Sequence, residues 1–481
     1  MPDEFKNYVD GKWVAAASGA TFPSLNPANK GDVLGVFPRS DHRDVDRAAE
    51  SAHGHADRWR LVAPRRRAAI LHRAADLLRE RRADLALLVT RETGTLLREA
   101  EGEAQEAGDL VADLAGEGTR PAGPLPPAGP PGRLAVRVCV PVGVVAAITP
   151  SSGPLAVPAG ILAAALAAGN AVVLKPSEDA PLAGTRLVEI LLEAGLPPGV
   201  VSLVHGTGEE AGAPLVRHPN AALVAFHGSA AVGREVAIAC AAEGKRTALA
   251  AGGAGALLVM DDADLDLALE GALRGAFAAA GQRRAAVRRL ILHKKIAREF
   301  TERLAARAAA LRVGDGMAPA TEMGPLVNEA RLKRMHAFTR LGVKEGARLL
   351  CGGEVVREGE CKRGFFYLPT VLGEARPAMR IAQEEILGPA VCILTAPDLE
   401  GAVAVANGAR PPLVVGLYAR DLSRAFQAAQ ELRAGHVTLN APPPGGAAHP
   451  GLRATDPVAP FTEWRTMAAD LGGRPVEDAG A

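Results

Sequence analysis

The chain has 481 residues, 48% hydrophobic content and a formal net charge of +1. That length suggests roughly two to four domains, and the balanced charge argues against a nucleic-acid partner or an anionic membrane surface. The five cysteines include no Cys-x-x-Cys pair. Together with a polar amino-terminal stretch that has no apolar signal core, this pattern predicts a reduced, cytoplasmic protein without a metal site.

The first long periodic segment predicts an amphipathic helix over residues 64–94, which ends at Gly94. The Pro/Gly-rich run 120–133 predicts a connector. Residues 133–150 follow as two β-rich pieces hinged at Pro141. The most apolar run, 153–176, is broken by proline and glycine and favours a core segment over a membrane span.

Residues 170–260 alternate between apolar strands and amphipathic helices. The strands are predicted in AVVLKP, GVVSLVHG and AALVAFHG, each followed by a helical stretch. This alternation is typical of a parallel sheet with helices on both faces, whose ligands bind outside the carboxyl ends of the strands. A second α/β alternation fills residues 255–440.

Four arginines stand where a small-residue helical run passes into an apolar strand, in GAFAAAGQRRAAVRRLILHKK (275–295). Arg283 and Arg284 precede the strand, and Arg288 and Arg289 belong to it. Two interpretations stay open. Arg283 and Arg284 hold a carboxylate or phosphate in a bidentate manner, or some of these arginines point to solvent at a strand edge.

Dinucleotide-type signals lie at the ends of the predicted strands. In FHGSAAVG (226–233), Gly228 and Ser229 open a helix whose free N–H groups suit a pyrophosphate. In LKPSEDAP, Lys175 and Glu178 stand just past a strand, where they suit the vicinal hydroxyls of a ribose. Each signal taken alone is also typical of an ordinary turn.

In this order and spacing, the motifs resemble the aldehyde dehydrogenase superfamily over nearly the whole chain. The matching segments include YVDGKWVAAASGATFPSLNPA, PVGVVAAITP, LAAGNAVVLKPSEDAP, FHGSAAVGREVA, MGPLVN and IAQEEILGP. The resemblance implies an α/β fold with two Rossmann-type parallel-sheet domains and a β-strand oligomerisation arm. It implies a dinucleotide-binding domain at 1–125 and 148–250, a catalytic-type domain at 251–440, and oligomerisation strands at 126–147 and 458–481.

The resemblance also implies a chemistry. In that family a cysteine thiolate attacks the aldehyde, a glutamate activates water, and an asparagine side chain with a backbone N–H holds the oxyanion. It places Arg284 at the cysteine (GQRR), Ala250 at the glutamate (LAAGGA) and Ser152 at the asparagine (PSSGP). Because an arginine stays protonated in proteins, it cannot form the covalent adduct. No residue is therefore assigned a catalytic role.

The cofactor positions of the family are better preserved than its catalytic ones. The resemblance carries the ribose, phosphate and nicotinamide-ribose roles to Lys175, Glu178, Gly228, Ser229, Gly233 and Glu385. It leaves open that NAD binds here, and Glu178 favours NAD over NADP because a carboxylate repels a 2′-phosphate. No metal is expected.

These implications predict a catalytically inactive aldehyde dehydrogenase homologue. Its expected role is that of an assembly or regulatory subunit, in a homo-oligomer or together with an active paralogue. Two alternatives stay open at this point. One is an NAD-dependent oxidoreductase that acts on an aldehyde through a non-standard site, and the other is a module that binds or senses an anionic metabolite.

Overall fold

The computed structural model describes residues 2–120, 133–409, 412–442 and 457–470. Two seven-stranded sheets organise these residues, as the predicted α/β fold requires. Neighbouring residues of one central strand, Val144–Ile148, show that both faces of the first sheet are covered. Val145 and Ala147 pack into one hydrophobic cluster, whereas Val144 and Ala146 pack into another. Since side chains alternate along a strand, helices cover both faces of this sheet.

The first sheet is parallel over five of its strands. In spatial order its strands are β10 (Arg246–Ala251), β9 (Leu223–Gly228), β6 (Val144–Ile148), β7 (Ala171–Lys175), β8 (Val201–Leu203), β1 (Asn7–Val9) and β2 (Lys12–Val14). Strands β6 to β10 run parallel, while β1 pairs antiparallel with β8 and with β2. The strands predicted within 170–260 are thereby confirmed.

The second sheet is parallel except at one edge. In spatial order its strands are β13 (Arg348–Cys351), β14 (Thr370–Gly373), β15 (Ala390–Ala396), β12 (Val287–His293), β11 (Gly255–Val259), β16 (Val414–Tyr418) and β17 (His436–Leu439). Only β13 runs antiparallel to its neighbour. The domain boundary predicted between residues 250 and 251 lies near the end of β10 and stays a prediction.

Helices follow the strands of both sheets in chain order. The helices before residue 250 are α1 (His42–Arg60), α2 (Pro64–Glu80), α3 (Arg82–Thr93), α4 (Leu97–Glu117), α5 (Ala156–Ala168), α6 (Pro181–Glu193), α7 (Ala213–Arg217) and α8 (Ala230–Ala242). Those after it are α9 (Leu265–Phe277), α10 (Ala297–Ala309), α11 (Glu329–Lys344), α12 (Arg380–Gln383), α13 (Leu399–Asn407) and α14 (Leu422–Glu431).

The helix predicted over residues 64–94 is two helices. The chain breaks between α2 and α3 at Arg81, where φ is −100° and ψ is 15°. The predicted end at Gly94 is confirmed, since this glycine has a φ of 77°, a left-handed conformation that only glycine adopts cheaply. No glycine or proline stands at the break, so the hydrophobic periodicity of the sequence predicted one continuous helix.

The apolar run 153–176 lies in the core, as predicted. Its helix α5 is buried at every position except Ala168, and β7 follows it into the first sheet. In the part of the chain that the structure describes, no helix is both long and apolar enough to cross a membrane.

A two-stranded ribbon stands apart from both sheets. It pairs β5 (Arg133–Pro141) with β18 (Thr462–Asp470) in antiparallel register, from Thr462 opposite Pro141 to Asp470 opposite Arg133. A separate hairpin joins β3 (Thr21–Asn26) and β4 (Asn29–Pro38). Of the predicted oligomerisation strands, the ribbon contains residues 133–141 and 462–470, whereas residues 144–147 belong to β6 of the first sheet. Most of the predicted connector at 120–133 lies outside the described residues.

Candidate functional site

A cavity of about 850 Å³ lies at the carboxyl ends of β6, β7 and β9. Its lining includes the last residue of each of these strands, namely Ile148, Lys175 and Gly228. The opposite wall comes from residues 383–387 and from Arg284, which precedes β12 in the second sheet. Parallel sheets bind ligands at this edge.

Lys175 and Glu178 form an ion pair at the end of β7. Lys175 Nζ donates to Glu178 Oε2 at 3.1 Å and to the Pro176 carbonyl oxygen at 2.9 Å. Burial, the largest single influence, would raise the pKa of the Glu178 carboxyl, but the charge of Lys175 and the hydrogen bonds from Lys175 and from backbone N–H groups together lower it. Glu178 is therefore a carboxylate at neutral pH, with Lys175 fixed beside it.

The amino terminus of α8 opens into the same cavity. Ser229 caps this helix, with its hydroxyl oxygen accepting from the N–H of Val232 at 3.4 Å. The N–H of Ala230, the first residue of α8, donates to Glu385 Oε2 at 3.3 Å. The other oxygen, Glu385 Oε1, is buried and finds no hydrogen-bond partner in the described part of the chain. The amino terminus of α8 therefore already binds the carboxylate of Glu385, and one oxygen of that carboxylate has no described hydrogen-bond partner.

Arg284 is 7% exposed and lies inside the cavity wall. Its Nη1 donates to the carbonyl oxygen of Ala250 at 2.7 Å, and its Nη2 lies 3.1 Å from His227 Nδ1. Because a guanidinium only donates, His227 Nδ1 must accept. Burial lowers the pKa of Arg284 to about 10, so the side chain stays charged at neutral pH.

Arg288 and Arg289 are even more deeply buried, with 3% and 1% exposure. Arg288 bonds to the carbonyl oxygens of Gly388 at 2.9 Å and Arg283 at 3.1 Å, and also to that of Gly281. The interpretation that some of these arginines point to solvent at a strand edge is therefore wrong for Arg284, Arg288 and Arg289, whereas Arg283 is partly exposed. Sequence reasoning had no signal for this burial, because the residues that the arginines bind are backbone carbonyls.

Arg289, on the same strand β12, likewise binds backbone carbonyl oxygens. Its guanidinium donates five hydrogen bonds to the carbonyl oxygens of Ala254, Val405 and Ala406, at 2.8 to 3.1 Å. The role of Arg289 is thus structural, since it solvates three backbone carbonyls and does not itself line the cavity, although one of these carbonyls belongs to the lining residue Ala254.

Replacing Arg289 with methionine is expected to destabilise the fold. The variant R289M leaves buried carbonyls unpaired, at about 1–3 kcal/mol for each group, so we expect a loss of about 3 kcal/mol or more. The matched control is R298M, because Arg298 is 92% exposed and its pair with Glu302 contributes about 0.5 kcal/mol or less. Chemical denaturation of both variants measures the difference, and equal midpoints would contradict this role.

A second cavity of about 20 Å³ adjoins the first one. Ser151, Ser152 and Arg331 line both. Arg331 belongs to α11, and its guanidinium makes no hydrogen bond with any described residue. Burial lowers its pKa, although nearby Asp179 opposes that shift. Sequence reasoning missed Arg331 because α11 carries no recognisable site motif.

The structure brings together most of the residues singled out from the sequence. Lys175, Glu178, Gly228, Ser229, Glu385, Ser152 and Arg284 all line the larger cavity. Gly233 lies on the buried face of α8, where a Cβ atom would approach Ala251 Cβ to 2.9 Å, so its place is one of packing. Ala250 contributes its carbonyl oxygen to Arg284. Among the described residues, no group of three or more His, Cys, Asp or Glu is arranged to hold a metal ion.

Comparison with known proteins identifies the family. The model of the Aldehyde dehydrogenase family matches residues 13–453. The chain belongs to the aldehyde dehydrogenase family. It is 34% identical over 437 residues to the alpha-ketoglutaric semialdehyde dehydrogenase of Bacillus subtilis, covering 91% of this chain and 90% of that protein. It is also 34% identical over 432 residues to the succinate-semialdehyde dehydrogenase [NADP(+)] of Escherichia coli, covering 90% and 89%.

Solved structures of the family share the whole fold. The betaine aldehyde dehydrogenase of Staphylococcus aureus, in complex with NAD⁺, superposes with a TM-score of 0.94 at 28% identity. The superposition covers 98% of this chain and 95% of that one. The family and this NAD⁺-bound neighbour support the use of a nicotinamide dinucleotide.

The prediction of a catalytically inactive subunit is wrong. Relatives that share a third of their residues with this aldehyde dehydrogenase over nine-tenths of its length are named as dehydrogenases of semialdehydes. The same finding contradicts the alternative of a module that only senses an anionic metabolite, because these relatives are named as enzymes. The error lay in one step of the reasoning. An arginine at residue 284 excludes a covalent thiol adduct at that position, but it does not exclude hydride transfer.

Proposed function

We propose that this chain is a dehydrogenase that uses a nicotinamide dinucleotide to oxidise small aldehydes carrying an acidic group. The observation that carries the proposal is that two arginines of the cavity wall, Arg284 and Arg331, have no described carboxylate within ion-pair distance. The cavity is lined by five cations, namely Lys175, Arg234, Arg284, Arg331 and Arg334, and by four carboxylates, namely Glu178, Asp179, Glu384 and Glu385. Both relatives described above are named for semialdehydes of dicarboxylic acids, which carry a carboxylate beside the aldehyde.

The residues of the cavity fit a dinucleotide. Lys175 and Glu178 would hold the hydroxyls of one ribose, and the amino terminus of α8 would hold the pyrophosphate. Glu385, whose Oε1 is buried without a described partner, would accept from hydroxyls of the second ribose. When bound, the oxidised dinucleotide supplies the hydride acceptor.

The acidic group of the substrate would lie near Arg331. This guanidinium reaches both cavities, and no described carboxylate lies within ion-pair distance of it. Arg334 lines the larger cavity one turn further along α11. A substrate carboxylate at this place would therefore meet two cations, and its charge-assisted hydrogen bonds would be stronger than those of a neutral group.

A comparison of matched aldehydes tests the proposal. We expect formation of NADH, followed at 340 nm, with succinate semialdehyde as substrate. We expect kcat/KM to be about tenfold or more lower with butanal, which has the same chain length and no charge. Equal kcat/KM values for the two aldehydes would refute the preference for acidic substrates. If none of the semialdehydes gave aldehyde-dependent NADH formation, the proposed function would be refuted.

We further propose NAD as the preferred dinucleotide. Glu178 remains ionised beside Lys175, and a carboxylate at the ribose repels the 2′-phosphate of NADP. The relative from Escherichia coli is named for NADP(+), so relatives differ in this respect.

The variant E178Q is expected to lower the preference for NAD. Removal of the negative charge should raise NADP affinity relative to NAD affinity by about tenfold, measured by titration calorimetry on the protein without substrate. E189Q is the matched control, since Glu189 pairs with Arg186 on the exposed side of α6. An unchanged ratio in E178Q would show that Glu178 does not face the 2′ position.

We propose that the chain assembles into a homo-oligomer in the cytoplasm. Within the described residues, β5 and β18 pair only with each other, and an isolated two-stranded ribbon is marginal in water. Leu134, Trp464 and Met467 are exposed on this ribbon. All five cysteines are free thiols, which supports a reducing compartment.

A charge on the ribbon is expected to weaken assembly. We expect M467K to have a lower mass by light scattering than the wild type at the same concentration, because the lysine would be buried in the interface. T466S, at the adjacent position of β18, should keep the wild-type mass. A monomeric wild type, or an oligomer indifferent to M467K, would refute assembly through the ribbon.

A further inference from the structure

We propose that Arg284 holds both oxygens of the reacting carbon, so that the aldehyde is oxidised as its hydrate without a covalent bond to the protein. This inference rests on the proposed function and adds the route by which the reaction proceeds. It follows from three observations: the position of the cysteines, the unsatisfied donors of Arg284, and the contrast with the neighbouring arginines.

No cysteine lines either of the two cavities described above. Cys139 lies in the ribbon strand β5, and Cys351 and Cys361 are partly buried beyond the cavity. Cys240 and Cys392 are buried in hydrophobic clusters, and burial raises the pKa of Cys392 to about 12. None of these thiols is placed to attack an aldehyde held beside Arg284.

Arg284 keeps unused hydrogen-bond donors inside the cavity. A guanidinium has five N–H groups, and Arg284 uses one on Ala250 and one on His227. The remaining donors have no partner among the described residues. Burial lowers the pKa of Arg284 and the charge of Glu385 partly opposes that shift, but no described carboxylate lies within ion-pair distance. A buried cation with unsatisfied donors binds an oxygen-rich, electron-rich ligand strongly, because water competes little there.

The neighbouring arginines show what a purely structural arginine looks like in this fold. Arg289 makes five hydrogen bonds to carbonyl oxygens, and Arg288 makes three. Arg284 makes two, although it is 7% exposed. Arg289 thus uses all five of its donors and Arg288 uses three, and neither lines the larger cavity, whereas Arg284 uses two and does line it.

The hydrate and the acid product match this arrangement. A hydrated aldehyde carries two oxygens on the reacting carbon, and so does the carboxyl group that it becomes. The planar fork of a guanidinium matches two such oxygens, best when they lie in one plane with the carbon. In the step, the positive charge of Arg284 first favours the loss of one hydroxyl proton of the hydrate to water. The C–H bond of the resulting hydrate anion then breaks, its electron pair would leave as hydride to the oxidised dinucleotide, and the carbon becomes a carboxyl carbon.

Arg284 thereby stabilises the transition state more than the starting hydrate. The reacting carbon is tetrahedral in the hydrate and becomes planar as hydride leaves, which brings both oxygens onto the fork. His227 is a positioning residue, since its Nδ1 fixes the guanidinium from the side of β9.

The first test measures binding rather than turnover. Titration calorimetry with glutarate, on the protein without dinucleotide, compares the wild type with R284M and R284K. We expect a loss of affinity of about tenfold or more in R284M, and a smaller loss in R284K, which keeps the charge but not the fork. R298M is the control for the loss of a surface arginine, and thermal melting checks that each variant is folded. Unchanged affinity in folded R284M would overturn the proposal.

The second test separates the route from the activity. The intact mass of the protein, taken during turnover of succinate semialdehyde with NAD⁺, should show no added acyl group, and iodoacetamide should not abolish NADH formation. An acyl group on any cysteine would overturn the hydrate route and leave the proposed function standing. Absence of NADH formation would instead refute the proposed function, while the glutarate titration still decides the role of Arg284.

A kinetic comparison distinguishes the reacting carbon from the acidic group of the substrate. If Arg284 holds the reacting carbon, R284M lowers kcat/KM by a similar factor for succinate semialdehyde and for butanal. A loss confined to succinate semialdehyde would assign Arg284 to the carboxylate end and overturn the proposal.

Discussion

The hydrogen bond from Arg284 to the carbonyl oxygen of Ala250 joins the two sheets at the cavity. Arg284 precedes β12 of the second sheet, and Ala250 lies near the end of the edge strand β10 of the first. A buried cation without an adjacent carboxylate is expensive unless dipoles solvate it. The carbonyl of Ala250 and the ring of His227 supply those dipoles. This guanidinium therefore links the end of β10, which is paired with β9 along its whole length, to the segment that precedes β12.

The turn that leads into Arg284 is held in a costly conformation. Ala279 and Ala280 have φ values of 49° and 51°, in the left-handed region where each costs an alanine about 1–2 kcal/mol. Glu99 accepts from the N–H of Ala279 at 3.1 Å, and Arg288 binds the carbonyl of Gly281. These contacts stabilise the turn. The turn itself determines where the backbone of Arg284 lies relative to the cavity.

Much of the fold was predictable, because strand and helix periodicities are local. The strands and helices of 170–260 and the end at Gly94 followed from patterns of a few residues, whereas the residues that line the cavity were expected from the resemblance to the family. The break at Arg81 left no such trace. The burial of Arg288 and Arg289 was also hidden, since their partners are carbonyls of any residue type, brought close only by tertiary packing.

The functional prediction failed for a different reason. Sequence comparison showed which side chains Arg284, Ala250 and Ser152 replace, but not what a buried guanidinium with unsatisfied donors is able to bind. The hydrogen bonds of Arg284 become countable only once the surroundings of each N–H are known. The role of Arg331 depends in the same way on α11 lying beside both cavities.

Glu385 places one of the carboxylates of the cavity against a helix end. Its carboxylate accepts from Ala230 at the amino terminus of α8, and Gly252 makes room for it, since a Cβ atom there would lie 1.8 Å from Glu385 Oε1. Any incoming pyrophosphate meets this helix end already occupied. If a dinucleotide binds as proposed, its apparent affinity would be the intrinsic affinity multiplied by the fraction of molecules in which Glu385 has left the helix. Ligands that lack a phosphate are not subject to that reduction.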